Sequence, residues 1–384
     1  MTYKITSLLT LLTLLVACGA EQHSEVSQSV SSSVLPATNT ANIEHTLVNA
    51  DGSYPGVPLA KDVITLKVVQ SGITSLSDYP TPQEGLEQNL QRMIDLADVA
   101  CNEGESPDIL LYHEFPLTGY FSGSRTEKLE FALTIPGPET DRLGQVARDC
   151  STYIIFGSYA VDPAWPRHIL SINTVISPQG EVVKTFWKTR NIKRIYDGRE
   201  ISTTTIEAVR DKYRAMYGIE EEFPVLRTEF GNIAVSTVQL DPFVFAAFAM
   251  RGTEIMLRTA TLYSEGDVVL MARINDFYSA MSNIALPKGM RYSGGNSIIV
   301  APDGKLLARE PGTDNDSVIS AQIPIAEFRA GRKIPQYTVD IVRPVFDQYQ
   351  QEIPINHLDM PSEELPETDE EMKTLYDRIS NWLN

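Results

Sequence analysis

Glu114 and Lys188 are the two side chains of this sequence whose settings suit catalysis. Glu114 closes the apolar run Ile109-Leu110-Leu111-Tyr112-His113-Glu114 and is followed by Phe115-Pro116-Leu117-Thr118-Gly119-Tyr120. A carboxylate at the C-terminal end of a strand lies where α/β folds build their sites, and half-burial there would raise its pKa toward that of a general base. Lys188 ends Phe186-Trp187-Lys188 on another apolar run. Its cation could stabilise an oxyanion as negative charge develops on a carbonyl. Taken singly, each has a plainer reading as well: a solvated strand end, and a surface lysine.

A base and an oxyanion partner need a nucleophile, and none stands beside them. The cysteines are Cys18, Cys101 and Cys150. Cys101 and Cys150 each end a helix that precedes a strand, so both fall at the N-terminal edge of the sheet. Glu114 lies at the opposite edge, on the order of 15–20 Å away along a strand. In an oxidising compartment these two thiols could pair or stay buried. Ser236 and Thr237 carry hydroxyls, which need an activating base that no neighbouring histidine supplies. The histidines, His23, His45, His113, His168 and His357, include no pair at metal-ligand spacing, and no Gly-rich phosphate loop occurs, so neither a metal nor a cofactor is expected.

The elements that must position these residues follow from periodicity. Ile64, Leu66 and Val68 alternate with Thr65, Lys67 and Val69 as a strand does. Thr81-Pro82-Gln83-Glu84 opens a helix with a cap, a first-turn proline and a returning glutamate, and Leu86, Leu90, Met93, Ile94 and Ala97 follow on one face. The pattern predicts further strands at 109–114, 153–158, 171–176 and 182–187, a helix near 140–149, and a turn at 177–180. A second series predicts strands at 233–238 and 254–258, a helix near 267–279, and a hairpin made of 297–301 and 306–308. Strands alternating with helices and closing in hairpins, twice over, imply two sheets face to face with helices outside, a four-layer α/β domain. A helix at 206–217 stopped by Gly218 stands apart, and Thr368-Asp369-Glu370-Glu371 caps a last helix carrying Met372, Leu375, Ile379, Trp382 and Leu383. That apolar stripe must cover the parent domain or a neighbouring subunit.

The first residues have the layout of an export leader: Lys4, a short apolar run from Leu8 to Val16, then Leu15-Val16-Ala17-Cys18. The run is too short to span a bilayer, and Leu-Val-Ala-Cys resembles a bacterial lipobox, in which cleavage leaves Cys18 to carry the lipid. With Gly19 next, the expected location is the outer membrane, facing the periplasm. Residues 1–17 are thus the expected signal peptide, 18–61 a Ser-, Thr- and Asn-rich tether, 62–335 the folded domain and 336–384 an acidic C-terminal extension. The net charge of −18 becomes −19 when Lys4 leaves with the leader, a surface that repels phosphate backbones and argues against a nucleic-acid partner.

Several segments in order resemble the carbon-nitrogen hydrolase, or nitrilase-like, family. They are residues 68–70, Glu-Phe-Pro-Leu-Thr-Gly-Tyr at 114–120, Ile135-Pro136-Gly137, Asn173, Phe186-Trp187-Lys188, 230–235, 251–255 and Gly295-Asn296-Ser297-Ile298-Ile299-Val300-Ala301-Pro302-Asp303-Gly304. The resemblance implies a four-layer αββα sandwich, often dimeric or a higher homo-oligomer, that hydrolyses amides or nitriles through a cysteine. It also implies Glu114 as base, Lys188 beside the oxyanion and a second glutamate at Glu200. The family cysteine precedes an acidic residue, which here corresponds to Thr237-Val238-Gln239-Leu240-Asp241. Gln239 stands at the nucleophile position when counted back from Asp241, and Val238 when counted forward from Gly231. Neither side chain can attack a carbonyl. The expectation is a degenerate hydrolase that binds an amide-like small molecule. The alternatives are an active hydrolase in which Glu114 activates water, and a structural oligomerisation module at the membrane.

Overall fold

The computed structural model describes residues 49, 51–72, 74–119, 125–191, 203–261, 265–286, 294–349 and 365–380. The expected leader, Cys18 as the expected lipid attachment site, and Glu200 lie outside the described residues.

The elements run β1 (Ile64–Gly72), α1 (Pro82–Asn102), β2 (Ile109–Leu111), α2 (Arg125–Phe131), β3 (Leu133–Thr134), α3 (Pro138–Cys150), β4 (Tyr153–Val161), β5 (Leu170–Ile176) and β6 (Val182–Trp187). They continue with α4 (Arg210–Tyr217), β7 (Leu226–Thr228), β8 (Gly231–Ser236), α5 (Pro242–Met250), β9 (Ile255–Ala260), α6 (Glu265–Asn275) and β10 (Tyr278–Ala285). The last are β11 (Ile298–Val300), β12 (Leu306–Arg309), β13 (Ser317–Ile323), α7 (Ile325–Gly331), α8 (Val339–Phe346) and α9 (Asp369–Ser380).

Their pairing gives the order β6-β5-β4-β2-β1-β10-β9-β8-β7, a mixed sheet that is nearly closed. Its two halves meet where β1 runs parallel to β10 for only two register pairs, Ser71 with Ile284 and Gly72 with Ala285. Elsewhere β1 pairs with β2 and, antiparallel, with β13, so it belongs to one half while β10 belongs to the other. The alternation read from β1, β2 and β4 decides what each face covers. Ile64, Leu66, Val68, Ile109, Leu111 and Ile155 join Ile233, Val235, Ile255 and Leu257 in one core. The intervening Val69, Leu110, Ile154 and Phe156 instead meet Leu90, Met93 and Ala97 of α1 and Leu143 and Ala147 of α3. Burying a leucine or methionine such as Leu90 or Met93 stabilises the fold by about 1.5–3 kcal/mol each.

The start of α1 is as expected, with Thr81 accepting from the Glu84 amide. Other elements depart from expectation. The helix predicted to reach 279 ends at Asn275; Asp276 takes φ 50°, and the chain enters β10. The strand predicted to run through Glu114 ends at Leu111, and residues 206–217 divide into a 3-10 turn, Glu207–Val209, and α4. Residues 51–61 lie against the domain: Tyr54 donates to Glu254 at 2.9 Å, and the Ala60 amide to the Glu229 carbonyl at 2.9 Å. At the other end the capping box forms, the Glu371 amide donating to Thr368 and the Thr368 amide to Glu371, each at 3.1 Å. Leu365 and Leu375 are buried there.

Candidate active site

Glu114 sits three residues past β2. Backbone pairing with β4 continues that far, the Tyr112 amide donating to Ile155 and the Gly157 amide to His113. A side chain at 157 would collide: a Cβ there would lie 2.4 Å from the Glu114 carbonyl oxygen and 2.8 Å from its Cα. Glycine therefore lets β4 press on the backbone that aims the carboxylate.

His113 supports the same turn. Its Nδ1 accepts from the Phe115 amide at 3.2 Å, so the proton resides on Nε2, which donates to Ser71 Oγ at 2.9 Å. Burial, then Arg92, pulls its pKa down to about 3, which keeps the ring neutral. With both ring nitrogens engaged by Ser71 and Phe115, it serves to position its neighbour.

Lys188 follows β6, its amide bonded to Ser171 and its carbonyl to the Ile206 amide. Its Nζ lies 3.5 Å from Glu114 Oε1, with both side chains 7% exposed. The two residues singled out on chemistry are thus brought together as a buried ion pair, whose mutual attraction is strengthened by the low local dielectric.

Register extends the site. Gly157 faces Asn173 across β4 and β5, and Asn173 faces Phe186 across β5 and β6. Asn173 lies within β5, where the Thr259 hydroxyl of β9 donates to its Oδ1 at 2.6 Å, linking the two halves of the sheet. Its Nδ2 is buried and has no hydrogen-bond partner among the described residues, a donor held in reserve.

The segment 237–241, where the resemblance leads one to expect the nucleophile, follows β8. Arg190, two residues beyond Lys188, donates to Asp241 at 2.9 Å, and Asp241 caps α5 by accepting from the Phe243 and Val244 amides. Arg258 of β9, fully buried, holds the Val238 carbonyl at 2.8 Å, pairs with Asp267 at 2.6 Å and stacks 4.0 Å from the Phe245 ring. Val238 is 1% exposed, Gln239 9% and Thr237 4%, and the Thr237 hydroxyl has no hydrogen-bond partner among the described residues. The turn is thus firmly built.

The two cysteines among the described residues form the disulfide Cys101–Cys150, Cα–Cα 5.9 Å, joining the ends of α1 and α3. This resolves the alternative left open by spacing. Arg190, Arg258 and Thr259 were not singled out from sequence. Arg190 had a signal in following Phe-Trp-Lys by two residues, whereas the other two sit in an apolar strand with nothing local to mark them. No group of three or more metal-binding side chains occurs among the described residues.

Comparison with known proteins agrees with this architecture. The profile of the carbon-nitrogen hydrolase family matches residues 69–333. A formamidase of Bacillus cereus (strain G9842) is 23% identical over 127 residues, 32% of this chain and 38% of that protein. One from Bacillus thuringiensis (strain Al Hakam) is 24% identical over 129 residues, again 38% of its length. The chain thus matches well under half of these relatives' length. Among solved structures, a double mutant of the amidase from Nesterenkonia sp. AN1 in complex with acrylamide superposes with a TM-score of 0.54 at 18% identity, covering 76% of this chain and all of the other. Another mutant of that amidase, with the acetamide moiety of fluoroacetamide on its active site cysteine, gives 0.53 at 18% identity, covering 75% and 100%. These likenesses concern the fold. With the family profile spanning 69–333, this chain belongs to the carbon-nitrogen hydrolase family.

Proposed function

We propose that this protein is a lipoprotein of the bacterial envelope whose domain binds a carboxamide-like small molecule at Glu114 and Lys188 without forming a covalent intermediate. The observation carrying this reading is a buried Glu114–Lys188 pair at 3.5 Å in a chain whose corresponding nucleophile segment, Thr237 to Asp241, contains no thiol. A carboxylate accepts from an amide N–H and a lysine donates to its carbonyl, so the pair suits a carboxamide even where no bond is broken. In this reading Asn173 Nδ2 adds a donor and Gln239 lines the pocket.

The test is a panel of small amides and nitriles offered to the purified chain. Saturable binding without turnover, weakened by Glu114→Gln, is the expected result. Turnover that Glu114→Gln abolishes would overturn it in favour of water activation by Glu114. An unchanged cellular phenotype in a Glu114→Gln/Lys188→Met double variant would favour the structural module.

Cys18 is the proposed lipid attachment site, with the outer membrane as location and the domain facing the periplasm. The Cys101–Cys150 pairing supports an oxidising compartment. Palmitate incorporation lost on Cys18→Ser is the expected outcome; incorporation that survives would overturn the anchor. A homo-oligomer is proposed through the apolar surface where the Phe243 and Phe346 rings meet 5.2 Å apart, with Ile341 and Val345 78% and 66% exposed. Val345→Asp should then lower the mass measured by light scattering.

A further inference from the structure

Arg125 is a buried cation in search of a partner. It is 2% exposed, and among the described residues none of its three guanidinium nitrogens has a hydrogen-bond partner. Burial and the neighbouring Arg167 together pull its pKa down to about 10, and no carboxylate among the described residues offsets them. Leaving an arginine this way is expensive, because a desolvated charge without hydrogen bonds costs several kcal/mol. The nearby carboxylate of Glu367 is already taken: it pairs with Arg167 and accepts from the Thr126 hydroxyl.

Position gives the vacancy a meaning. Arg125 and Leu129 are four apart on α2 and share a face. Leu129 packs against Phe115, Tyr159 and Ile169. Phe115 directly follows Glu114 and stacks on Tyr159 with ring centroids 4.4 Å apart. Arg125 therefore stands one helical turn, about 6 Å of rise, beyond the contact that covers the residue next to Glu114. His168, whose pKa is lowered partly by Arg125, adds no negative charge there.

We infer that Arg125 receives the carboxylate of a ligand whose amide end sits at Glu114 and Lys188, so that the molecule bound is an amide bearing an acid group. The inference rests on the amide-binding reading of that site. A planar guanidinium with all its nitrogens uncommitted matches a carboxylate in the two-pronged geometry that lysine cannot provide.

The test is calorimetric titration of the full chain with succinamate, which has amide and acid, butyramide, which has only the amide, and butyrate, which has only the acid. The wild-type chain should bind succinamate at least about tenfold more tightly than butyramide, the smaller end of what a charge-assisted hydrogen bond contributes. Arg125→Gln should erase that preference while butyramide binding stays, and Arg125→Lys should retain part of it. A wild-type chain with no preference, or an Arg125→Gln variant that keeps it, overturns the inference. If Arg125→Gln does not fold, full preference in Arg125→Lys overturns it equally. Should neither amide bind, the amide reading fails by itself. Butyrate that raises the melting temperature of the wild type, and not of Arg125→Lys, would then uphold the anion site, and butyrate without effect would overturn it.

Discussion

At the scale of single residues, the decisive contact is the crowding of Gly157 against Glu114. A methyl group at 157 meets backbone, at 2.4 Å from the Glu114 oxygen, and backbone cannot swing aside as a side-chain tip does. Gly157→Ala should therefore cost about 1–3 kcal/mol in denaturant unfolding, the range for overpacking a core. It should also weaken amide binding as Glu114 moves, whereas an equally destabilising change remote from the site should leave affinity intact. Glu114 and Lys188 could be found from sequence because strand ends next to apolar runs are recognisable. Asn173 was noticed only as part of a matching segment, and nothing in one dimension shows that Thr259 of the other half-sheet reaches it at 2.6 Å.

Among the elements, α5 ties the turn at 237–241 to the lysine side of the site. Asp241 satisfies two amides at its first turn and also holds Arg190. Asp241→Ala should lose about 1 kcal/mol of stability through the cap alone, read as a shift in denaturant midpoint. A loss confined to high denaturant with unchanged ligand affinity would show that the turn is held without Arg190. The elements legible beforehand were those that alternate or repeat cleanly, such as β1 and α1. Of β10, Tyr-Ser-Ala-Met-Ser-Asn-Ile-Ala, only Tyr278 and Ser279 fell in a predicted element, the end of the helix near 267–279, because the small and polar residues that follow show no alternation. The strand is buried throughout, with Tyr278, Ala280 and Met281 in the same core as Ile255 and Leu257 of β9. α5, Pro-Phe-Val-Phe-Ala-Ala-Phe-Ala-Met, is apolar around most of its circumference, so its sequence lacks the polar stripe by which helices are usually noticed.

For the molecule as a whole, stability should depend on acid in a defined direction. His113 stays neutral in the fold with its pKa near 3, while in the unfolded chain it titrates near the ordinary 6.5. Below about 6.5 the unfolded chain takes up a proton that the folded one refuses. The stabilisation is therefore complete above that pH and is lost as pH falls toward 3, by up to about 1.4 kcal/mol per unit. His168, lowered to about 4 chiefly by burial, acts in the same sense. Unfolding midpoints at pH 7 and 5 should differ accordingly, and His113→Asn should flatten the slope; an unchanged slope would contradict the buried neutral ring. Reduction should matter too. The disulfide closes a loop with a sequence separation of 49, which on the chain-entropy view contributes about 4 kcal/mol. Unfolding with and without dithiothreitol measures it.

That cross-link has a practical corollary. With Cys101 and Cys150 bound to each other and Cys18 spoken for by its proposed acyl chains, the mature domain is silent toward maleimides and iodoacetamide. A sulfur engineered at position 239 would be the sole alkylatable atom, and its rate of labelling would report directly whether the surroundings of Glu114 and Lys188 can still activate a thiol.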